Sequence, residues 1–237
     1  MENQIDNQLE NQVMVGHLSE VDKVAFYKKT YSHVAAGVLV FIFFEYLLLQ
    51  SETIVRFMLS MLSGYSWLLV LGGFMLVTSY SERMAINSTD RNKQYLAYGL
   101  YILAEAIIFV PLIYIAIAYT QSYELLNQAA IVTLSLFTGL SAIVLVTKKD
   151  FSFLKAGLTV GFFIALGLIL AGTIFGFNLG LWFSVGMCLL AGGSILYQTS
   201  NLVNKYSQEQ YVAAALGLFA SLMLLFWYIL RIFMSRK

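Results

Sequence analysis

The stretch YVAAALGLFASLMLLFWYILRIF, residues 211–233, carries one charge, Arg231, in 23 positions. About 20 apolar helical residues span a hydrocarbon core. Lipid offers no partner to a peptide group, so a spanning segment must satisfy its own backbone, which means helix. A closed barrel would instead show short alternating segments. Six further runs of similar character precede this one: Val34–Leu49, Phe57–Thr78, Tyr95–Tyr119, Gln128–Val146, Phe153–Phe175 and Leu179–Thr199. The connections are short and hold nearly all the charge. The predicted fold is all-α, a polytopic integral membrane protein of seven transmembrane helices, with residues 25–237 as the membrane domain and residues 1–24 as a polar tail.

Within the last stretch, Ala213, Gly217, Ala220 and Ser221 form a seam with Ala214 beside it. Small residues let helix backbones approach closely. The seam therefore predicts a central last helix, packed by several neighbours. Gly157 and Gly161 make a weaker seam in the fifth span.

Composition narrows the function classes. Hydrophobic residues are 59% of the 237 and charged residues 11%, far from globular averages. A net charge of +1 excludes a strongly basic nucleic-acid surface. The single cysteine, Cys188, lies inside the sixth span and reads as core packing. The first 22 residues hold Glu2, Asp6, Glu10, Glu20 and Asp22 with no Lys or Arg, which is not a signal-peptide n-region. The first span is then its own targeting signal. Lys and Arg set orientation. Ten of the fourteen fall on the side of the tail and the even loops, including Arg83, Lys148, Lys149 and Lys205. Arg56, Arg231, Arg236 and Lys237 lie opposite. This places the N-terminus in the cytoplasm, with the basic C-terminus as an exception to the rule.

The tail repeats a short unit, Glu2-Asn3-Gln4-Ile5, Asp6-Asn7-Gln8-Leu9 and Glu10-Asn11-Gln12-Val13. Its two readings are a disordered leader and a docking helix for a cytoplasmic partner. Ser19 and Asp22 have the spacing to cap a helix running toward the first span.

A carboxylate inside a span is costly and so points to function. Glu45 sits near the far end of the first helix, within reach of the interface. Glu105 lies near the middle of the third, six residues before Pro111. Proline removes a backbone donor and is expected to kink the helix, freeing the Ile107 carbonyl beside Glu105. Glu105 is therefore a candidate proton switch, or a carboxyl paired with a neighbouring helix. Ser194, Gln198, Asn201 and Lys205 follow one face at the end of the sixth span. That face reads equally as a water-filled path and as inter-helix hydrogen bonding.

These residues bear a resemblance. Thr147-Lys148-Lys149-Asp150-Phe151-Ser152-Phe153-Leu154 closely resembles the junction between spans four and five of the Bax-inhibitor family, the transmembrane Bax-inhibitor-motif proteins. Ile195-Leu196-Tyr197-Gln198-Thr199-Ser200-Asn201 is similar to that family's L-Y-D-T stretch. Phe26-Tyr27-Lys28-Lys29-Thr30-Tyr31 is similar to its approach to the first helix, and Ala214 through Ile232 to its last helix. The resemblance covers nearly all of the chain after residue 24. It implies a seven-helix bundle around the last helix and a pH-responsive calcium leak tied to two aspartates. Those positions are Gln198 and Ser221 here, a family glutamate is Gly217, and an asparagine is Leu224. The family arginine at the end of span two corresponds to Arg83, with Glu82 or Asp150 left as its partner. Gln198 and Ser221 still hydrogen-bond but do not titrate between pH 5 and 8.

The expected function is a cation leak, of calcium or another cation, through the bundle with the pH-sensing aspartates replaced. The alternative is a non-conducting regulatory or interaction protein, for example one modulating a membrane-bound AAA protease through the tail. The latch or pathway candidates are Gln198, Ser221, Arg83, Glu105, Asp150 and Asn201. No catalytic set, cofactor site or metal site is expected: the histidines are His17 and His33, outside the later spans, and the seventh span has no lysine for a Schiff base. The expected partners are the lipid bilayer, a cation and a protein reached through the tail. The expected location is a bacterial inner membrane.

Overall fold

The computed structural model describes residues 14–62, 64–88 and 90–235, so the repeat of residues 2–13 lies outside the described residues. The first element among the described residues is a single 3-10 turn, Val15–His17. Eight α-helices follow among the described residues: α1 Glu20–Gln50, α2 Glu52–Ser60, α3 Tyr65–Ile86, α4 Arg91–Thr120, α5 Glu124–Thr147, α6 Leu154–Phe175, α7 Gly180–Asn204 and α8 Tyr211–Ser235. Six of them are long and apolar enough to cross a bilayer, and the bent pair α2 and α3, taken as one, makes a seventh span. The protein is an all-helical integral membrane protein.

Capping sets several starts. The Ser19 hydroxyl accepts from the Asp22 amide at 3.2 Å and donates to the Asp22 carboxylate at 2.6 Å, opening α1 as the Ser19–Asp22 spacing predicts. Ser51 and Asp90 cap α2 and α4 in the same way. The helix α4 runs through Pro111 as one 30-residue element.

The second apolar run, Phe57–Thr78, is not one straight span. It breaks after Ser60, and α2 and α3 meet at 110°. Gly64 carries a φ of 61°, a left-handed conformation that glycine adopts without a Cβ penalty. Hydropathy runs unbroken across this point, which is why the expected boundary failed.

The last helix is central. In α8 78% of its most apolar window is buried, against 6% in α6. It packs against α1, α3, α4, α5 and α7. Aromatic rings fill the seams: Phe219 meets Tyr98 and Tyr101 edge-on, and Phe109 stacks on Phe226. In α6 only Ala165 is buried. Of its two seam glycines, Gly161 lies against Leu190 and Gly157 has open space around it.

The even loops converge at one end of the bundle, here the basic end. Glu20 pairs with Lys148 at 3.1 Å and Arg91 with Glu209 at 3.5 Å. The Gln210 amide donates to the Ile86 carbonyl at 2.9 Å, and the Val15 amide to the Tyr206 carbonyl at 2.9 Å.

Candidate functional site

Two cavities lie along α8. The larger, about 750 Å³, sits among α3, α4, α6, α7 and α8. The smaller, about 150 Å³, lies toward the basic end and is lined by Asn201, Tyr197 and Tyr206 among others. Glu82, Gln198 and Gly217 line both. The boundary between them is therefore built by a carboxylate on α3, an amide on α7 and a bare backbone on α8.

Gly217 explains how Gln198 fits. A Cβ there would sit 3.0 Å from the Gln198 Cδ and Oε1. Gln198 thus lies on the α8 backbone and faces the cavities. No hydrogen bond joins its amide to another helix among the described residues, contrary to the pairing its stripe suggests. The inter-helix bond forms one turn away, where the Ser194 and Ser221 hydroxyls lie 2.8 Å apart. The Ser221 hydroxyl also donates to the Gly217 carbonyl at 3.0 Å, so Ser194 is the donor to Ser221. Glycine at 217 leaves Gln198 nothing to bond, while Ser221 is in register with the shorter Ser194.

Glu105 is buried and lines the larger cavity together with Tyr101, one turn earlier on α4. Asn201 lines the smaller cavity, and its side-chain oxygen is buried without a partner. Such an oxygen is costly unless a mobile partner visits it. Lys205 completes the stripe at the surface, its ammonium 5.5 Å from the Tyr197 ring centre.

Arg83 and Asp150 do not join this set. Arg83 is exposed, lines neither cavity and has no ion-pair partner among the described residues. Its neighbour Glu82, also exposed, lines both cavities, because successive helical residues are turned about 100° apart. Asp150 ties the α5–α6 junction to α7: its carboxylate accepts from the Ser152 amide at 2.8 Å and the Ser200 hydroxyl at 3.1 Å. The Ser152 hydroxyl and amide, then the Ser200 hydroxyl and Lys205, hold its carboxyl below the usual aspartate range.

Glu45 is a further correction. It does not reach the interface: it is buried on the inward face of α1 with Val34, Gly37 and Phe41, and neither carboxyl oxygen has a partner. The sequence reading also missed Tyr101 and gave Glu82 only as a partner for Arg83. The spacing Tyr101 to Glu105, one turn on one face, was the available signal.

Comparison with known proteins agrees with this architecture. Residues 23–237 match the family described as inhibitor of apoptosis-promoting Bax1. An uncharacterized protein of Pseudomonas aeruginosa is 36% identical over 124 residues, 52% of this chain and 55% of that protein. Protein lifeguard 4 of Mus musculus is 33% identical over 137 residues, 56% of each. A Golgi anti-apoptotic protein of vaccinia virus strain Lister is 31% identical over 138 residues, 56% of this chain and 57% of the viral one. The chain thus spans little more than half the length of these relatives. The match over residues 23–237 takes in every membrane-crossing helix and both cavities, and the chain belongs to the Bax inhibitor family.

Proposed function

We propose that this protein is a cation leak, for calcium or another cation, whose passage follows the two cavities along α8. The observation that carries the reading is their meeting at Glu82, Gln198 and Gly217. The polar groups supply oxygens in sequence: Asn201, then Glu82 and Gln198, then Glu105, Ser194 and Ser221. Calcium prefers six to eight oxygens including carboxylates. No single level here offers that many from side chains, so an ion would keep part of its water. Weak sites in series suit permeation, because an ion must leave as readily as it enters. The passage has lost the paired aspartates, and its titratable carboxyls are Glu82 and Glu105. The positive-inside argument puts the basic end, with residues 1–24, in the cytoplasm, and the Pseudomonas relative supports a bacterial cell membrane.

A second reading is a non-conducting regulator. It is favoured by the Val15–Tyr206 bond, which fixes the part of the tail next to α1 against the loop between α7 and α8. A protein partner held by the tail, such as a membrane-bound AAA protease, would then sense the bundle.

The test is calcium and potassium flux in proteoliposomes at pH 6 and pH 8. The natural protein is expected to conduct, and Glu82→Gln with Glu105→Gln to give a pH-independent residue of that flux. A clear pH-dependent leak in that double variant overturns the assignment of Glu82 and Glu105. Flux absent from the natural protein, and appearing only with Gln198→Asp plus Ser221→Asp, selects the regulatory reading.

A further inference from the structure

Away from its polar end, the larger cavity is walled by apolar side chains that an ion passage does not need. Trp67, Leu71 and Phe74 come from α3, and Phe162, Leu166 and Ile169 from α6. These two helices scarcely touch, and α6 buries only Ala165. With 6% of the most apolar window of α6 buried, the gap beside it lies on the outside of the bundle. A volume of about 750 Å³ falls within the range of about 300–1,000 Å³ that holds a drug-sized or larger apolar ligand.

One cation lines this cavity. Arg231, on α8 one turn beyond Trp227, lies at the end remote from Glu82, with Asn178 of the α6–α7 loop also on the wall. Among the described residues Arg231 has no ion pair and no hydrogen bond. A guanidinium near the membrane boundary sits at the depth of the lipid head groups, and its planar fork matches phosphate oxygens two at a time. Arg231 is 14 residues beyond Gly217 along α8, about 21 Å at 1.5 Å per residue. One leaflet's hydrocarbon is about 15 Å deep, half of a 30 Å core. An acyl chain anchored at Arg231 therefore ends short of the polar boundary.

We propose that this cavity binds one acyl chain of an anionic phospholipid, entering between α3 and α6, with Arg231 and Asn178 holding the lipid phosphate. The Arg231 charge disfavours the head-group cation of a zwitterionic lipid and so selects an anionic one, and the apolar wall selects a lipid over a free phosphate. A chain seated there occupies the outer part of the proposed passage and would oppose flux through it, and the lipid proposal does not depend on the protein conducting ions.

Trp67 and Trp227 make it measurable. The third tryptophan, Trp182, is 84% exposed and would report bulk lipid. The Trp182→Phe protein is reconstituted in phosphatidylcholine vesicles holding a minor fraction of brominated phosphatidylglycerol or, in parallel, brominated phosphatidylcholine. Bromine quenches indole at contact, so quenching reads occupancy of the cavity. The expected result is a roughly tenfold preference for phosphatidylglycerol, since both lipids offer the same phosphodiester and only phosphatidylcholine brings a second cation beside Arg231. Arg231→Gln is expected to abolish that preference, Arg231→Lys to reduce it, and Ala165→Phe, which fills the cavity, to lower quenching by both lipids. Equal quenching by the two lipids in the Trp182→Phe protein overturns the proposal, whether or not Arg231→Gln reconstitutes. So does an unchanged preference in Arg231→Gln. Competition by soluble glycerol phosphate would show a phosphate site without a lipid and overturn it as well.

Discussion

Gly217→Ala separates the stability of the bundle from the openness of the cavity boundary. The added Cβ would lie 3.0 Å from the Gln198 Cδ and Oε1 and 3.2 Å from its Nε2. Ordinary heavy-atom contact is about 3.5–4.0 Å, so the amide must retreat by about 0.5 Å or more. It has room, since Gln198 borders a cavity on both sides. Turning one side-chain torsion off its minimum costs about 0.5–1.5 kcal/mol. Replacing glycine by alanine inside a helix returns about 1 kcal/mol. These nearly cancel, so the melting temperature should stay within about 4 °C of the natural protein, the shift expected for about 1 kcal/mol in a chain of this size. The passage should not be so indifferent. The methyl group and the displaced amide both enter the boundary that Glu82, Gln198 and Gly217 form, and cation flux should fall several-fold. Thermal unfolding in detergent and flux in proteoliposomes, on one preparation, decide the matter. A much larger drop in melting temperature would show that Gln198 is locked in place. Unchanged flux at unchanged stability would show that ions do not pass this boundary.

Gly37→Ala should behave oppositely. Its Cβ would collide with the Tyr98 hydroxyl, which is held by a 2.9 Å bond to the His33 carbonyl while its ring packs on Phe219; the overpacking should cost about 1–3 kcal/mol, read as a lower melting temperature. Asp150→Asn tests the junction between α5 and α6. Because the folded carboxyl titrates below its unfolded value of about 3.9, its contribution is present above that pH and fades as pH falls through the folded value. The variant should melt below the natural protein at pH 7 and approach it in strong acid, and a gap that stays constant with pH would refute the role. Val15 is fully buried where the tail meets the loop after α7. Val15→Asp should release that turn, seen as faster limited proteolysis before Ser19 with little change in melting of the bundle.

The large features were legible because they follow from composition at a known period. Residues 211–233 announce a span by apolarity, and Ala213, Gly217 and Ala220 announce its centrality by the absence of bulk; the buried α8 is the direct result. Ser19 and Asp22 cap α1 because the capping geometry is local and needs no tertiary information. The break after Ser60 was hidden, since hydropathy cannot distinguish an apolar helix from an apolar bend. Gly64 was the one cue, and a lone glycine in a membrane helix is common.

The finer site was less legible, because it turns on which way each side chain faces. Glu82 and Arg83 are neighbours in sequence, yet only Glu82 meets the cavities. The resemblance read from the sequence implies a pairing of Gln198 with Ser221. Packing instead pairs Ser194 with Ser221 and lays Gln198 on Gly217. Glycine at 217 makes room for the neutral Gln198 amide, and the Ser221 hydroxyl reaches Ser194 on the neighbouring turn of α7. Introducing aspartate at 198 alone should then place an unpaired carboxylate against the α8 backbone. Only with Ser221→Asp, and the displacement of Ser194, does a carboxyl pair have a second member to share a proton.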